Sequence, residues 1–142
     1  MRPASAIEAL AGLSFNGVAF AADMAMFDFG PTEPLTIRHG ARKGETILAG
    51  SHGLHVQCAW RLRRGASVLA TSYGPPGPAA VELAAGLIVD NVEAAGGAIV
   101  IGLGAFRLEV MPGGDGDEQW RLLTRNPDQD HLVWGGEYGT AG

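Results

Sequence analysis

Hydrophobic and polar side chains alternate most regularly over residues 54–63. Leu54, Val56, Cys58, Trp60 and Leu62 share one parity, and His55, Gln57, Ala59, Arg61 and Arg63 the other. Period two over ten residues predicts a strand with one buried and one mostly polar face. Gly65 offers a turn, and residues 67–72 a returning strand. Similar runs recur at 88–92, Ala98–Leu103, 105–111, Glu118–Thr124 and 131–134, with Gly96-Gly97 as a tight turn. Phe106, Leu108 and Val110 alternate there with Arg107 and Glu109. Residues 98–134 therefore read as an antiparallel meander.

The first third is less regular. Residues 4–10 read as a weak helix. Asn16-Gly17, between Leu13-Ser14-Phe15 and Val18-Ala19-Phe20, predicts a hairpin turn, because both turn positions need positive φ. The return run passes Met24, Met26, Phe27 and Phe29 and stops at Gly30-Pro31. Residues 31–53 are polar and interrupted by glycine, and read as irregular apart from a short strand at 35–38. Pro78 suits a helix start, and Val81, Ala84, Ala85 and Ile88 fall on one face of a helix over 79–87.

Tyr73-Gly74-Pro75-Pro76-Gly77-Pro78 breaks any regular element. It divides one domain, 1–142, into halves 1–72 and 79–142. Trp60-Arg61-Leu62-Arg63 is echoed by Trp120-Arg121-Leu122-Leu123, each followed by a turn and a strand, which suggests two similar hairpins. The fold class these elements predict is α+β: predominantly antiparallel sheet, one or two short helices, and two similar halves.

Composition narrows the function classes. With 46% apolar and 18% charged residues, the chain can bury a core and does not read as disordered. Fifteen acidic against ten basic residues leave a net charge of -5, so there is no electrostatic footprint for general nucleic-acid binding. Cys58 is the single cysteine, which excludes an internal disulfide. The N-terminal apolar run is broken by Glu8, and no apolar stretch has membrane-spanning length. The expectation is a cytoplasmic protein that does not enter membranes. Nine of the ten basic residues are arginine, which fits the codon bias of a GC-rich bacterial genome.

Several constellations invite chemistry. His52, His55 and Cys58 have a metal-like spacing, but offsets of three on a strand place neighbours on opposite faces. Cys58 shares the apolar face with Val56 and Trp60, so it reads as a small core residue rather than a nucleophile. Asp115, Asp117 and Glu118 lack the ligand spacing of a calcium loop and read as a hairpin turn. Gly102 and Gly104 read as a bulge or turn rather than a dinucleotide fingerprint. No catalytic residue, metal or cofactor is expected.

Arg61, Arg63 and Arg64 form a basic cluster beside His55 and Gln57. A polar strand face of this kind suits an anionic group or an acidic partner. The first function class is therefore a protein-binding, immunity-like module without catalysis, acting through His55, Gln57, Arg61 and Arg63. The second is a small-molecule binder or enzyme with a polar pocket near His55, Arg61, His131 and Glu118. Exposed sheet edges in a glycine-rich chain also predict a homodimer.

Ala21-Ala22-Asp23-Met24, Phe27-Asp28-Phe29-Gly30, residues 54–62, Glu118-Gln119-Trp120-Arg121-Leu122 and His131-Leu132-Val133 follow one another along most of the chain. In this order they resemble an uncharacterised family of small bacterial, largely actinobacterial, proteins. The resemblance implies a bacterial cytoplasmic protein and brings no activity, cofactor or site residue with it.

Overall fold

The computed structural model describes residues 3–113, 118–125 and 132–135. The chain is mostly antiparallel β-sheet with few short helices. Its elements are α1 (Pro3–Glu8), β1 (Phe15–Ala21), β2 (Met24–Phe29), β3 (Glu33–Thr36), β4 (Thr46–Ala49), β5 (His52–Val56), β6 (Ala59–Arg64) and β7 (Ser67–Thr71). A 3₁₀ turn at Ala79–Ala84 follows, then β8 (Asn91–Ala95), β9 (Ala98–Leu103), β10 (Phe106–Met111), β11 (Glu118–Thr124) and β12 (Leu132–Gly135). Sheet one has the order β1-β2-β5-β11-β12, sheet two the order β7-β6-β10-β9-β8, and β3 and β4 form a separate ribbon. Each large sheet takes strands from both sides of the Gly-Pro loop.

The two sheets share one core. Ala25, Phe27, Phe29, Leu54, Val56, Trp120 and Leu122 come from sheet one, and Trp60, Leu62, Ile99, Ile101, Leu103, Leu108 and Val110 from sheet two. Phe27 meets Trp60 edge-on across the sheets at 5.3 Å between ring centroids. Trp120 Nε1 donates to the Gly97 carbonyl at 2.8 Å, tying β11 to the β8–β9 turn. α1 lies against β8 and contributes buried Ile7, with Leu10 just beyond it.

The regular strand expected at 54–63 is two strands in two sheets. Gln57 N and Cys58 N both donate to the Gln119 carbonyl, at 2.8 and 3.2 Å. Two residues facing one is a β-bulge, and it bends the chain from sheet one into sheet two. Burial keeps its alternation through the bend, because the even-numbered side chains point inward in both sheets. The expected meander also divides. β9 and β10 pair as a hairpin, but β11 pairs with β5 and β12 in the other sheet.

Asn16-Gly17 is not the hairpin turn. It lies inside β1 at a register shift, with Gly17 at φ 131° and Asn16 Nδ2 donating to the Gly30 carbonyl at 2.8 Å. The chain reverses instead at Ala22-Asp23, between the paired Ala21 and Met24, and Ala22 takes a φ of 53°. The helix expected over 79–87 shortens to the 3₁₀ turn. Val81 and Ala84, three apart, are buried, while Ala85 and Ile88 are exposed, which is the 3₁₀ period. Residues 88–92 give way to β8, which starts at Asn91.

Trp60 and Trp120 occupy matching places. Each lies on the strand next to an edge strand, β6 beside β7 and β11 beside β12, and each ring is buried.

Candidate functional site

Residues 31–53, read as irregular apart from a short strand at 35–38, hold the β3–β4 ribbon, and β3 overlaps that expected strand at Leu35 and Thr36. Glu33 pairs with Ala49, Pro34 with Leu48, Leu35 with Ile47 and Thr36 with Thr46. All of β3 is exposed, as are Thr46 and Leu48. β3 and β4 belong to neither large sheet, so the ribbon is an arm on the core rather than part of it. Its apolar side chains are consequently open to solvent: Leu35 is 45% exposed and Leu48 69%. Its tip carries Arg38, His39, Arg42 and Lys43, all exposed. The tip is itself ordered by backbone bonds, Ile37 N to Glu45 O and Gly44 N to Ile37 O, both 2.8 Å. Arg42 pairs with Glu45 at 3.2 Å.

The arm is clamped at its root. Arg125 NH1 donates to the carbonyls of Pro31 at 2.9 Å and Ala49 at 3.0 Å, and its Nε lies 3.3 Å from the Glu33 carboxylate. Gly50 N donates to both oxygens of Asp28, at 3.0 and 3.1 Å. One guanidinium and one carboxylate thus hold the two legs of the arm to sheet one.

Ser51 Oγ lies 2.8 Å from His52 Nδ1 beside this clamp. The contact joins sequence neighbours at the root and reads as part of its scaffold. Burial lowers the His52 pKa below its ordinary value of 6.5, and the nearby Arg125 charge lowers it further. The unfolded chain therefore takes up the proton first. The sign follows: His52 contributes stability above 6.5 that is lost progressively as pH falls below that value toward the lower folded-state pKa. Melting temperature is expected to fall on acidification through this window, and His52→Asn to flatten the slope. An unchanged slope in that variant contradicts the assignment.

The residues singled out in sequence separate in space. His55 lies between buried Leu54 and Val56, so it faces outward on sheet one, in register with Met26 and Arg121. Gln57 sits exposed on the bulge, its carbonyl accepting from Tyr73 Oη at 3.4 Å. Arg61 and Arg63 flank buried Leu62 and face outward on sheet two. The single polar face expected from His55, Gln57, Arg61 and Arg63 is therefore corrected. The bulge sends its two ends to the outer faces of different sheets.

The arginines are also engaged. Glu109 takes Arg61 Nε through one oxygen and Arg63 NH1 at 3.5 Å through the other. Arg64 lies over the Phe106 ring at 5.7 Å. The expected basic cluster is thus a cross-strand ion pair around one carboxylate plus a cation–π contact. His131, Asp115 and Asp117 lie outside the described residues.

Cys58 faces inward, and burial raises its thiol from 9.0 to about 11, against smaller lowering by the backbone N–H groups of Cys58 and Met111. Two units leave on the order of a hundredfold less thiolate than an ordinary cysteine has at the same pH. Iodoacetamide at pH 8 is expected to alkylate the folded protein at least about a hundredfold more slowly than the denatured chain. Equal rates would contradict this placement.

Sequence reasoning found part of β3, as the short strand at 35–38, and missed β4 and their pairing. Its signal was present in Leu35-Thr36-Ile37 and Thr46-Ile47-Leu48, two β-branched runs around Gly40 and Gly44. Fold and site together define a class: a two-sheet antiparallel β protein carrying a clamped, solvent-exposed β-arm. No protein-family model, curated protein or solved structure matches this chain. Among the described residues no helix is long and apolar enough to cross a membrane.

Proposed function

We propose that this chain is a protein-binding module without catalysis of its own, and that it meets its partner through the β3–β4 arm. One observation carries the reading. The arm exposes Leu48 on one face and Leu35 on the other, beside a cationic tip, on a ribbon clamped by Arg125 but outside both large sheets. An ordered arm that leaves leucines in water gains little apolar burial until another surface covers them. Occlusion of a partner's acidic surface, as an immunity-like protein performs it, fits this chemistry. A reducing cytoplasm suits the buried Cys58 thiol. The Trp60 and Trp120 hairpins we read as a structural repeat within the same domain.

The small-molecule reading has less support. His55 and Arg61 face outward from different sheets, so a shared pocket does not follow from their sequence proximity.

A quantitative pull-down tests the proposal. Tagged wild type is compared with Leu35→Ser/Leu48→Ser and with His55→Ala/Arg61→Ala, each checked for an unchanged melt. The expected result is a partner, an untagged copy of this chain included, that is lost with the arm variant and kept with the other. A partner lost only with His55→Ala/Arg61→Ala moves the interface to the sheet faces and overturns the arm.

A further inference from the structure

We propose that the partner of the arm is a second copy of this chain, and that two copies exchange arms reciprocally. The inference rests on the arm being the contact element and names what it contacts.

The chain carries a complement to its own arm. Among the described residues the large exposed hydrophobics are Phe20, Leu35, Leu48, Val68, Tyr73, Leu83 and Ile88. Leu35 and Leu48 belong to the arm. Leu83, 64% exposed, and Ile88, 54% exposed, belong to the short segment that opens with Glu82 and closes with Asp90. Both of these carboxylate side chains are exposed. In the β3–β4 register Leu48 shares the more open face of the ribbon with Pro34, while Leu35 lies with Ile47 on the other face. The open face thus offers Leu48 and Pro34 beside cations, and the other element offers leucine and isoleucine beside carboxylates.

Charge supports the same pairing. Arg38, Arg42 and Lys43 against Glu33 and Glu45 give the arm one net positive charge, which leaves the rest of the chain at six net negative. An arm approaching another copy is therefore attracted, while two bodies without arms repel. Glu45 already neutralises Arg42, so Arg38 and Lys43 are the cations the contact uses. Glu82 is the more available carboxylate. Among the described residues its carboxylate accepts a long bond from Val18 N at 3.4 Å, whereas Asp90 is held by Gly104 N at 2.9 Å. Two-fold symmetry makes the contact twice over, because each protomer supplies one arm and one acidic segment.

Sedimentation equilibrium from micromolar to submillimolar concentration tests this, with three proteins. Wild type is expected to dimerise, more weakly at high salt. Arg38→Glu/Lys43→Glu and Glu82→Lys are each expected to weaken self-association by about tenfold or more, with unchanged melts. Mixing the two variants is the decisive arm. In the mixed dimer each arm again meets an opposite charge, so dimer is expected to return on mixing.

Wild type that stays monomeric overturns the proposal, as does a dimer indifferent to both reversals. Monomeric wild type that still captures a different protein through Leu35 and Leu48 removes self-exchange and leaves the protein-binding reading standing. Monomeric wild type that captures nothing removes both. A monomer that instead shifts duplex DNA, and loses the shift with the arm reversal, overturns the proposal in favour of a nucleic-acid partner.

Discussion

Replacing Trp120 with alanine is expected to lower stability by about 3–5 kcal/mol, the range for deleting a large buried aromatic. The ring is 1% exposed and reaches from β11 into the β8–β9 turn, where its Nε1–H holds the Gly97 carbonyl. Truncation opens a cavity in the shared core and takes that donor from the Gly97 carbonyl, a further loss of about 1 kcal/mol. Together, for a chain of this length, the melting temperature should fall by roughly 13–20 °C. Trp120→Phe keeps most of the buried volume and loses the hydrogen bond, so it should cost clearly less. A thermal melt of both variants checks the order. Equal and small losses would show that the two sheets are not joined through this side chain.

Gly50→Ala is expected to destabilise by about 1–3 kcal/mol, as inserting an atom into a filled site does. A Cβ at position 50 would lie 2.7 Å from Asp28 Oδ2 and 2.8 Å from the Phe29 carbonyl carbon, and it would overlap the Phe29 carbonyl oxygen. The Phe29 obstacle is backbone of β2, whose Phe29 ring is fully buried, so it cannot swing aside as a surface side chain does. Relief must come from moving the arm root, which also strains the two bonds from Gly50 N to Asp28. Amide exchange should therefore rise across 31–50 before it rises in β9 and β10. Exchange that rises evenly over the chain would contradict a locally clamped arm.

What the sequence made legible follows from where the information is local. β9 and β11 match the expected runs Ala98–Leu103 and Glu118–Thr124, because alternation and flanking glycines settle them without reference to the rest of the chain. The buried parity of residues 54–62 is legible for the same reason. Its partition into two sheets is not, since the bulge at Gln57 and Cys58 exists only because β11 supplies the Gln119 carbonyl. That one non-local bond decides that His55 and Arg61 part company. Asn16-Gly17 shows the same limit. Gly17 does take a positive φ, but β1 uses it for a register shift, and Ala22 takes the turn. Of the arm only a short strand at 35–38 was legible, because four-residue strands give too few alternations to stand out from polar sequence. Its root depends on Arg125, whose contacts with Pro31 and Ala49 lie far apart in sequence.

Site-specific photo-crosslinking in cells tests the central claim most directly. A crosslinking side chain is placed at Leu48 on the arm, and in separate proteins at His55 and Val100 on the outer faces of the two sheets. The account predicts a discrete cross-linked protein product from position 48 and little from the other two. Products confined to position 55 or 100, with position 48 silent, would contradict it.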